Sequence, residues 1–143
     1  MREPAATIIA RIEASWADWL DTIADLAPED LAVPDSAGGW SVTAAMAHVA
    51  LWDRLAAENA ERRARGGGPR RLDFDALNAL HAAHRRGQPA RAARIEMLTT
   101  HAEMLVRLAR LPTIDPVWIA VDTWDHYPEH TAAVLAWRRN RGG

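Results

Sequence analysis

The chain has 143 residues, a formal net charge of −2, no cysteine and 49% hydrophobic residues. This size and composition predict a single domain over residues 1–143 with one hydrophobic core. The near-neutral charge argues against a nucleic-acid partner, and without cysteine there can be no disulfide, thiol nucleophile or thiolate metal ligand. The sequence has no signal-peptide pattern and no apolar run of about 18 residues, so we expect a cytoplasmic protein with no membrane partner.

Apolar residues recur at three- and four-residue spacing along several segments, which is the pattern of amphipathic helices. Long helices are predicted over about Ala5–Ala27, Val42–Arg63 and Ala90–Leu111, and over some or all of Val117–Arg139. A shorter helix is predicted over about Phe74–Arg86, between the second and third long helices.

No segment shows the two-residue alternation of a β-strand, so the predicted fold class is all-α. Four long helices indicate a four-helix bundle. The short extra helix gives the third long helix room to restart from the far end, which favours an up-down-down-up path over a simple meander. The glycine-rich stretch Arg65–Arg71 lacks the Lys-Ser/Thr ending of a phosphate loop, so it is interpreted as a flexible basic loop.

Three of the six histidines lie on helix faces that we predict to be buried: His48, His126 and His130. Residues four apart share a helix face, so His126 and His130 can reach one metal ion. His48 would supply the third ligand if both helices belong to one bundle. Such a site leaves a divalent ion its full charge and an open position for activating water or a thiol. Separate structural histidines of the core are the alternative.

The remaining histidines carry weaker patterns. His101 faces the predicted interior and is expected to be a core residue, a residue that contacts the metal ligands without binding the metal, or a proton shuttle. His81 and His84 are expected to be exposed or capping residues. Asp53 and Asp122 lie near the candidate ligands in sequence, and either carboxylate could accept the distal N–H of a ligand histidine.

Pro128 lies inside the His-x-x-x-His sequence and cannot donate a backbone hydrogen bond. If Asp125 is the N-cap, Pro128 falls in the first turn, where the missing N–H costs little. A kinked long helix also keeps the two imidazoles together. If Tyr127 is the cap, His126 falls outside the helix and the four-residue geometry is lost.

The two segments that carry these histidines contain longer motifs. The first is Gly39-Trp40-Ser41-Val42, followed by His48 and Trp52-Asp53, and the second is His126-Tyr127-x-x-His130. In this order and spacing they resemble the DinB/YfiT-like superfamily of metal-dependent four-helix-bundle proteins, and the resemblance covers nearly the whole chain. It implies an up-down-down-up bundle that binds zinc, nickel or iron through His48, His126 and His130. Pro128 departs from the family pattern.

The resemblance also implies a homodimer and, as in some relatives, a reaction with a low-molecular-weight thiol such as bacillithiol, mycothiol or glutathione. We therefore expect a metal-dependent hydrolase or thiol S-transferase that acts on a small-molecule substrate. The alternative is a non-enzymatic helical protein that binds and sequesters a small molecule in its tryptophan-rich interior.

Overall fold

A computed structural model describes residues 1–68 and 70–142. Most of these residues are helical, which confirms the predicted all-α character. The α-helices within them are α1 (Ala5–Ala24), α2 (Val42–Ala64), α3 (Phe74–His84), α4 (Ala90–Ala109) and α5 (Tyr127–Gly142). Short 3-10 helices cover Asp30–Ala32 and Pro116–Trp118.

Two very short strands accompany the helices. Strand β1 (Glu3–Pro4) precedes α1 and pairs antiparallel with β2 (Thr113–Ile114), which follows α4. The prediction of no strand was therefore wrong for these four residues. A two-residue strand is too short to show an alternating pattern, and its partner lies far away in sequence, so sequence periodicity gives no sign of it.

Side-chain caps fix where α2 and α3 begin. The hydroxyl of Ser41 accepts the backbone N–H of Ala44 at 3.0 Å, and the carboxylate of Asp73 accepts that of Ala76 at 3.0 Å. Both bonds satisfy a donor that has no partner within its own helix. The two caps match the sequence prediction, and the cap at Ser41 sets the phase that turns His48 inward.

The start of α5 differs from all three arrangements considered for Pro128. The helix begins at Tyr127, so Pro128 lies in its first turn and His126 immediately precedes it. Residues 119–126 form successive turns rather than a kinked helix, and the Thr123 carbonyl accepts the N–H groups of His126 and Tyr127 at 2.8 and 3.0 Å. Although His126 lies outside the helix, these turns keep it beside His130.

The core lies where α2 packs against α4 and where α1 packs against α4 and α5. Its largest fully buried side chains come from these four helices and from the turn before α5, and include Trp19, Ile12, Met46, Met97 and Tyr127. Helix α3 contributes no buried residue and packs on the outside of α2. None of the helices in residues 1–68 and 70–142 is long and apolar enough to span a membrane.

Candidate metal centre

His48, His126 and His130 meet between α2 and the start of α5. The Nε2 atom of His126 lies 3.3 Å from Nε2 of His48 and 3.0 Å from Nε2 of His130. One ring nitrogen from each residue lies within 4.8 Å of the other two, and the three residues are only 7–8% exposed. The structure thus brings the three predicted residues together as a buried cluster that could hold a metal ion.

The nitrogen separations fit a shared ion. In a tetrahedral zinc site with Zn–N bonds of about 2.0–2.1 Å, two ligating nitrogens lie about 3.3–3.4 Å apart. Hydrogen bonds alone satisfy the cluster poorly, because Nε2 of His126 faces two nitrogens but carries either one proton or one lone pair. A cation would accept one lone pair from each ring, so the donor set fits a divalent metal.

Burial also holds the three rings in the form that binds metal. Desolvation lowers the pKa of His48 to about 3, that of His126 to about 3 and that of His130 to about 4. The charge of His130 lowers the pKa of His48 and of His126 further. All three imidazoles are therefore neutral near pH 7 and have lone pairs to offer a metal.

Two tryptophans form one side of the cluster. The Trp40 ring stacks on His48 with centroids 4.8 Å apart and an interplanar angle of 22°. The Trp52 ring lies edge-on, 6.2 Å from the His48 ring and 6.0 Å from the His126 ring. These large apolar surfaces restrict the orientation of the imidazoles and limit the access of water to them.

A cavity of about 640 Å³ lies beside His48. Its walls come from the start of α2, from α3 and from the turn after α3, and include Trp40, Asn78, His81 and Gln88. His48 is the member of the histidine cluster that lines this cavity. A small molecule bound here would therefore approach the cluster from the His48 side.

A second polar cluster is centred on His101 in α4. Its Nδ1 donates to Oδ2 of the fully buried Asp53 at 2.8 Å, and its Nε2 donates to Oε1 of Glu13 at 2.6 Å. The Tyr127 hydroxyl donates to Oδ1 of the same aspartate. Trp16 stacks on the imidazole with centroids 3.7 Å apart. A carboxyl group at each ring nitrogen favours the doubly protonated form of His101.

The pKa values of this cluster follow from its pairing. Burial lowers the pKa of His101, but the hydrogen bonds and charges of Asp53 and Glu13 outweigh burial and raise it. Burial raises the pKa of Asp53 in spite of the hydrogen bonds from His101 and Tyr127. His101 is a buried polar residue of the core: among the described residues it makes no hydrogen bond to the three clustered histidines, and Asp53 joins it to Tyr127 at the start of α5.

Two sequence-based expectations about nearby residues need correction. In the described part of the chain, neither the Asp53 nor the Asp122 carboxylate accepts a hydrogen bond from the three histidines; Asp122 accepts one from Nδ2 of Asn59 at 3.3 Å. Burial raises the pKa of Asp122 to about 7. His81 is half-buried and donates from Nε2 to the Ala47 carbonyl at 3.0 Å, whereas His84 is exposed as expected.

Glu13 belongs to the His101 cluster, and no pattern in the sequence identified it as a candidate functional residue. It lies among the polar positions of α1, and its side chain is 46% exposed. A glutamate on the outer side of an amphipathic helix is ordinarily a solvated surface residue. Its partner His101 lies 88 residues away, so no local spacing connects the two.

Comparisons with protein-family models, with curated proteins and with solved structures gave no match for this chain. The resemblance to the DinB/YfiT-like superfamily therefore stays a prediction that depends on the two motifs. The geometry of His48, His126 and His130 is what makes this cluster a candidate metal centre.

Proposed function

We propose that this protein is a metal-dependent enzyme of the DinB/YfiT-like superfamily that binds one divalent ion through His48, His126 and His130. The observation that supports this most directly is the convergence of three buried Nε2 atoms with separations of 3.0 and 3.3 Å between neighbours. Three neutral imidazoles suit zinc, nickel or iron. Their lowered pKa values support the same conclusion, because no proton competes with the metal near pH 7.

When bound, the metal would lower the pKa of a coordinated water or thiol and supply a nucleophile near neutral pH. The residues of the chain hold and shield this position: Trp40 and Trp52 cover one side of the imidazoles. The cavity beside His48 has room for a small substrate. Because the chain has no cysteine, a thiol substrate has to come from outside, which supports a low-molecular-weight thiol. The proposed reactions are hydrolysis and thiol S-transfer.

The proposal includes an arrangement of the helices. The four long helices would form a bundle with an up-down-down-up path, and the contacts of α2 with α4 and of α1 with α5 support this. The position of α3 outside the core also supports it, since α3 then acts as the connection between α2 and α4. A homodimer in the cytoplasm stays a prediction, and light scattering across a range of concentrations tests the dimer.

The function is tested with protein loaded with zinc, nickel or iron in turn. We expect turnover of a chromogenic ester, or of a chromogenic aryl halide in the presence of glutathione or another low-molecular-weight thiol. Activity should disappear on chelation and in His130→Ala, with the fold retained by circular dichroism. His84→Ala, which removes an exposed histidine of α3, is the matched control and should remain active. Activity that persists in folded, metal-free His130→Ala would contradict the proposal.

A non-enzymatic binding protein is the second candidate. The cavity of about 640 Å³ beside Trp40 and His48 favours it, because such a volume can hold a small molecule without any reaction. Stoichiometric binding of a compound without turnover, unchanged by chelation, would favour this function over the enzymatic one.

A further inference from the structure

A second cavity, of about 450 Å³, lies on the side of Trp52 that carries Phe74. None of the three clustered histidines is among the described residues that line it. Its walls are largely apolar and aromatic, and are formed by Trp52, Leu55, Leu72, Phe74 and Trp118. Cavities of roughly 300–1,000 Å³ with apolar walls and a few polar groups are typical of small-molecule sites.

Of the charged and amide side chains that line this cavity, Asn59 and Asp122 offer hydrogen-bond acceptors, whereas Arg70 offers donors. Asp122 lines it and is 6% exposed, and its Oδ2 accepts a hydrogen bond from Nδ2 of Asn59 at 3.3 Å. The Oδ1 atom of Asn59 is buried and has no hydrogen-bond partner among the described residues. A buried acceptor without a donor costs free energy, so this end of the cavity favours a ligand that donates hydrogen bonds.

The charges around the cavity favour a cation. Arg70 also lines it, but its guanidinium is paired with Glu58 at 2.6 Å. No described lysine or arginine lies within ion-pair distance of Asp122, and burial raises the pKa of its carboxyl to about 7. A cation bound beside Asp122 would favour the ionised carboxylate. The guanidinium of Arg63 occupies one face of Trp118, 5.3 Å from the ring centroid, so a ligand in the cavity would contact the other aromatic side chains.

We infer that this cavity binds a small aromatic cation with several N–H donors, such as an arylamidine or an arylalkylamine. Its charged N–H groups donate to the Asp122 carboxylate and to Oδ1 of Asn59. Its ring packs among the aromatic side chains, which contribute both apolar contact and an attraction for positive charge. The inference does not depend on the proposed metal, although the Trp52 ring also lies 6.0 Å from the His126 ring.

Three compounds with the same phenyl ring test the inference on the whole chain. Benzamidine carries a cationic head group, benzamide a neutral one and benzoate an anionic one. Calorimetry, together with intrinsic tryptophan fluorescence, should show benzamidine bound roughly tenfold or more tightly than either analogue, because one ion-paired hydrogen bond contributes at least about 1.4 kcal/mol. In Asp122→Asn the preference for benzamidine should disappear.

Matched variants separate charge recognition from general effects. Asp125→Asn removes the same charge from an exposed position three residues away and should leave benzamidine affinity unchanged. If Asp122→Asn does not fold, Phe74→Ala takes its place: Phe74 is 45% exposed, and its loss should weaken benzamidine and benzamide alike. Benzamidine binding that is unchanged in folded His130→Ala supports a site separate from the metal centre.

Several results would overturn the inference. Equal affinity for the three compounds would show that the cavity binds the phenyl ring by apolar contact and does not recognise the charge of the head group. Preference for benzoate would show that Arg70 governs recognition. An absence of saturable binding at millimolar concentration, or binding that Phe74→Ala leaves unchanged, would show that the compounds do not occupy the cavity. Loss of benzamidine binding in folded His130→Ala would overturn the separation from the metal centre.

Discussion

Tyr127, the first residue of α5, donates its hydroxyl hydrogen bond to the carboxylate of Asp53 in α2. Tyr127 directly follows His126, and Asp53 lies one and a half turns after His48 in the same helix. The bond therefore joins the two segments that supply the clustered histidines. Because Asp53 also accepts from His101 in α4, the position of the histidine cluster is coupled to a third helix.

Tyr127→Phe removes this hydroxyl and keeps the aromatic ring. A buried carboxylate then loses one donor, so we expect the free energy of unfolding to fall by about 1.5–3 kcal/mol. The folded variant should also bind zinc more weakly, because nothing else of equal strength fixes the start of α5 against Asp53. Chemical denaturation measures the first effect and a zinc titration measures the second.

Thr131→Val is the matched control for this experiment. It removes a hydroxyl from the next turn of α5, whose bond at 3.0 Å runs only to the Tyr127 carbonyl in the same helix. Its zinc affinity should equal that of the wild type. If Tyr127→Phe also keeps full zinc affinity, the bond to Asp53 stabilises the fold without positioning the metal centre.

The clustered histidines make the metal-free protein sensitive to acid. Their folded pKa values of about 3, 3 and 4 lie below the unfolded value of about 6.5, so the unfolded chain binds more protons between those limits. The stabilising effect of neutral rings is present above about pH 6.5 and is lost as the pH falls toward 4. Each histidine contributes up to about 1.4 kcal/mol per pH unit to this loss.

Denaturation curves between neutral pH and about pH 4.5 check this prediction. In metal-free His126→Gln the slope of unfolding free energy against pH should decrease by about 1.4 kcal/mol per pH unit. The unfolded variant binds one proton fewer than the unfolded wild type, so the difference in bound protons between the unfolded and folded states falls by one. His84→Gln removes an exposed imidazole and should keep the wild-type slope. An equal slope in His126→Gln would contradict the assignment of His126 as a buried neutral ring.

His101 has the opposite dependence on pH. Its folded pKa is raised by Asp53 and Glu13, so its protonated form stabilises the fold fully below about pH 6.5. That stabilisation is lost as the pH rises through the raised pKa. The difference in unfolding free energy between the wild type and His101→Gln should therefore shrink as the pH rises. A difference that widens instead would rule out a doubly protonated His101.

Local patterns in the sequence predicted the helices and the histidine cluster. The helix of His48 followed from apolar periodicity and from the Ser41 cap, which accepts the N–H of Ala44 in the structure. The inward phase of His48, together with the four-residue spacing of His126 and His130, was enough to propose that the three side chains meet. Each of these signals lies within a few residues of the side chain that it concerns.

Features that depend on long-range contacts could not be predicted in the same way. Asp53 and His101 are 48 residues apart. The sequence around each residue is consistent with a role that does not involve the other. The start of α5 was left open by Pro128, because turns that bond to the Thr123 carbonyl compete with a longer helix. Only the packed chain decides between such alternatives.

The central claim is that His48, His126 and His130 together bind one divalent ion. Elemental analysis by mass spectrometry tests it most directly, on protein purified without an affinity tag and again after reconstitution. We expect close to one ion per chain in the wild type and in the control His84→Ala, and none in a folded His48→Ala, His130→Ala double variant. No metal in the reconstituted wild type, or equal metal in the double variant, would contradict it.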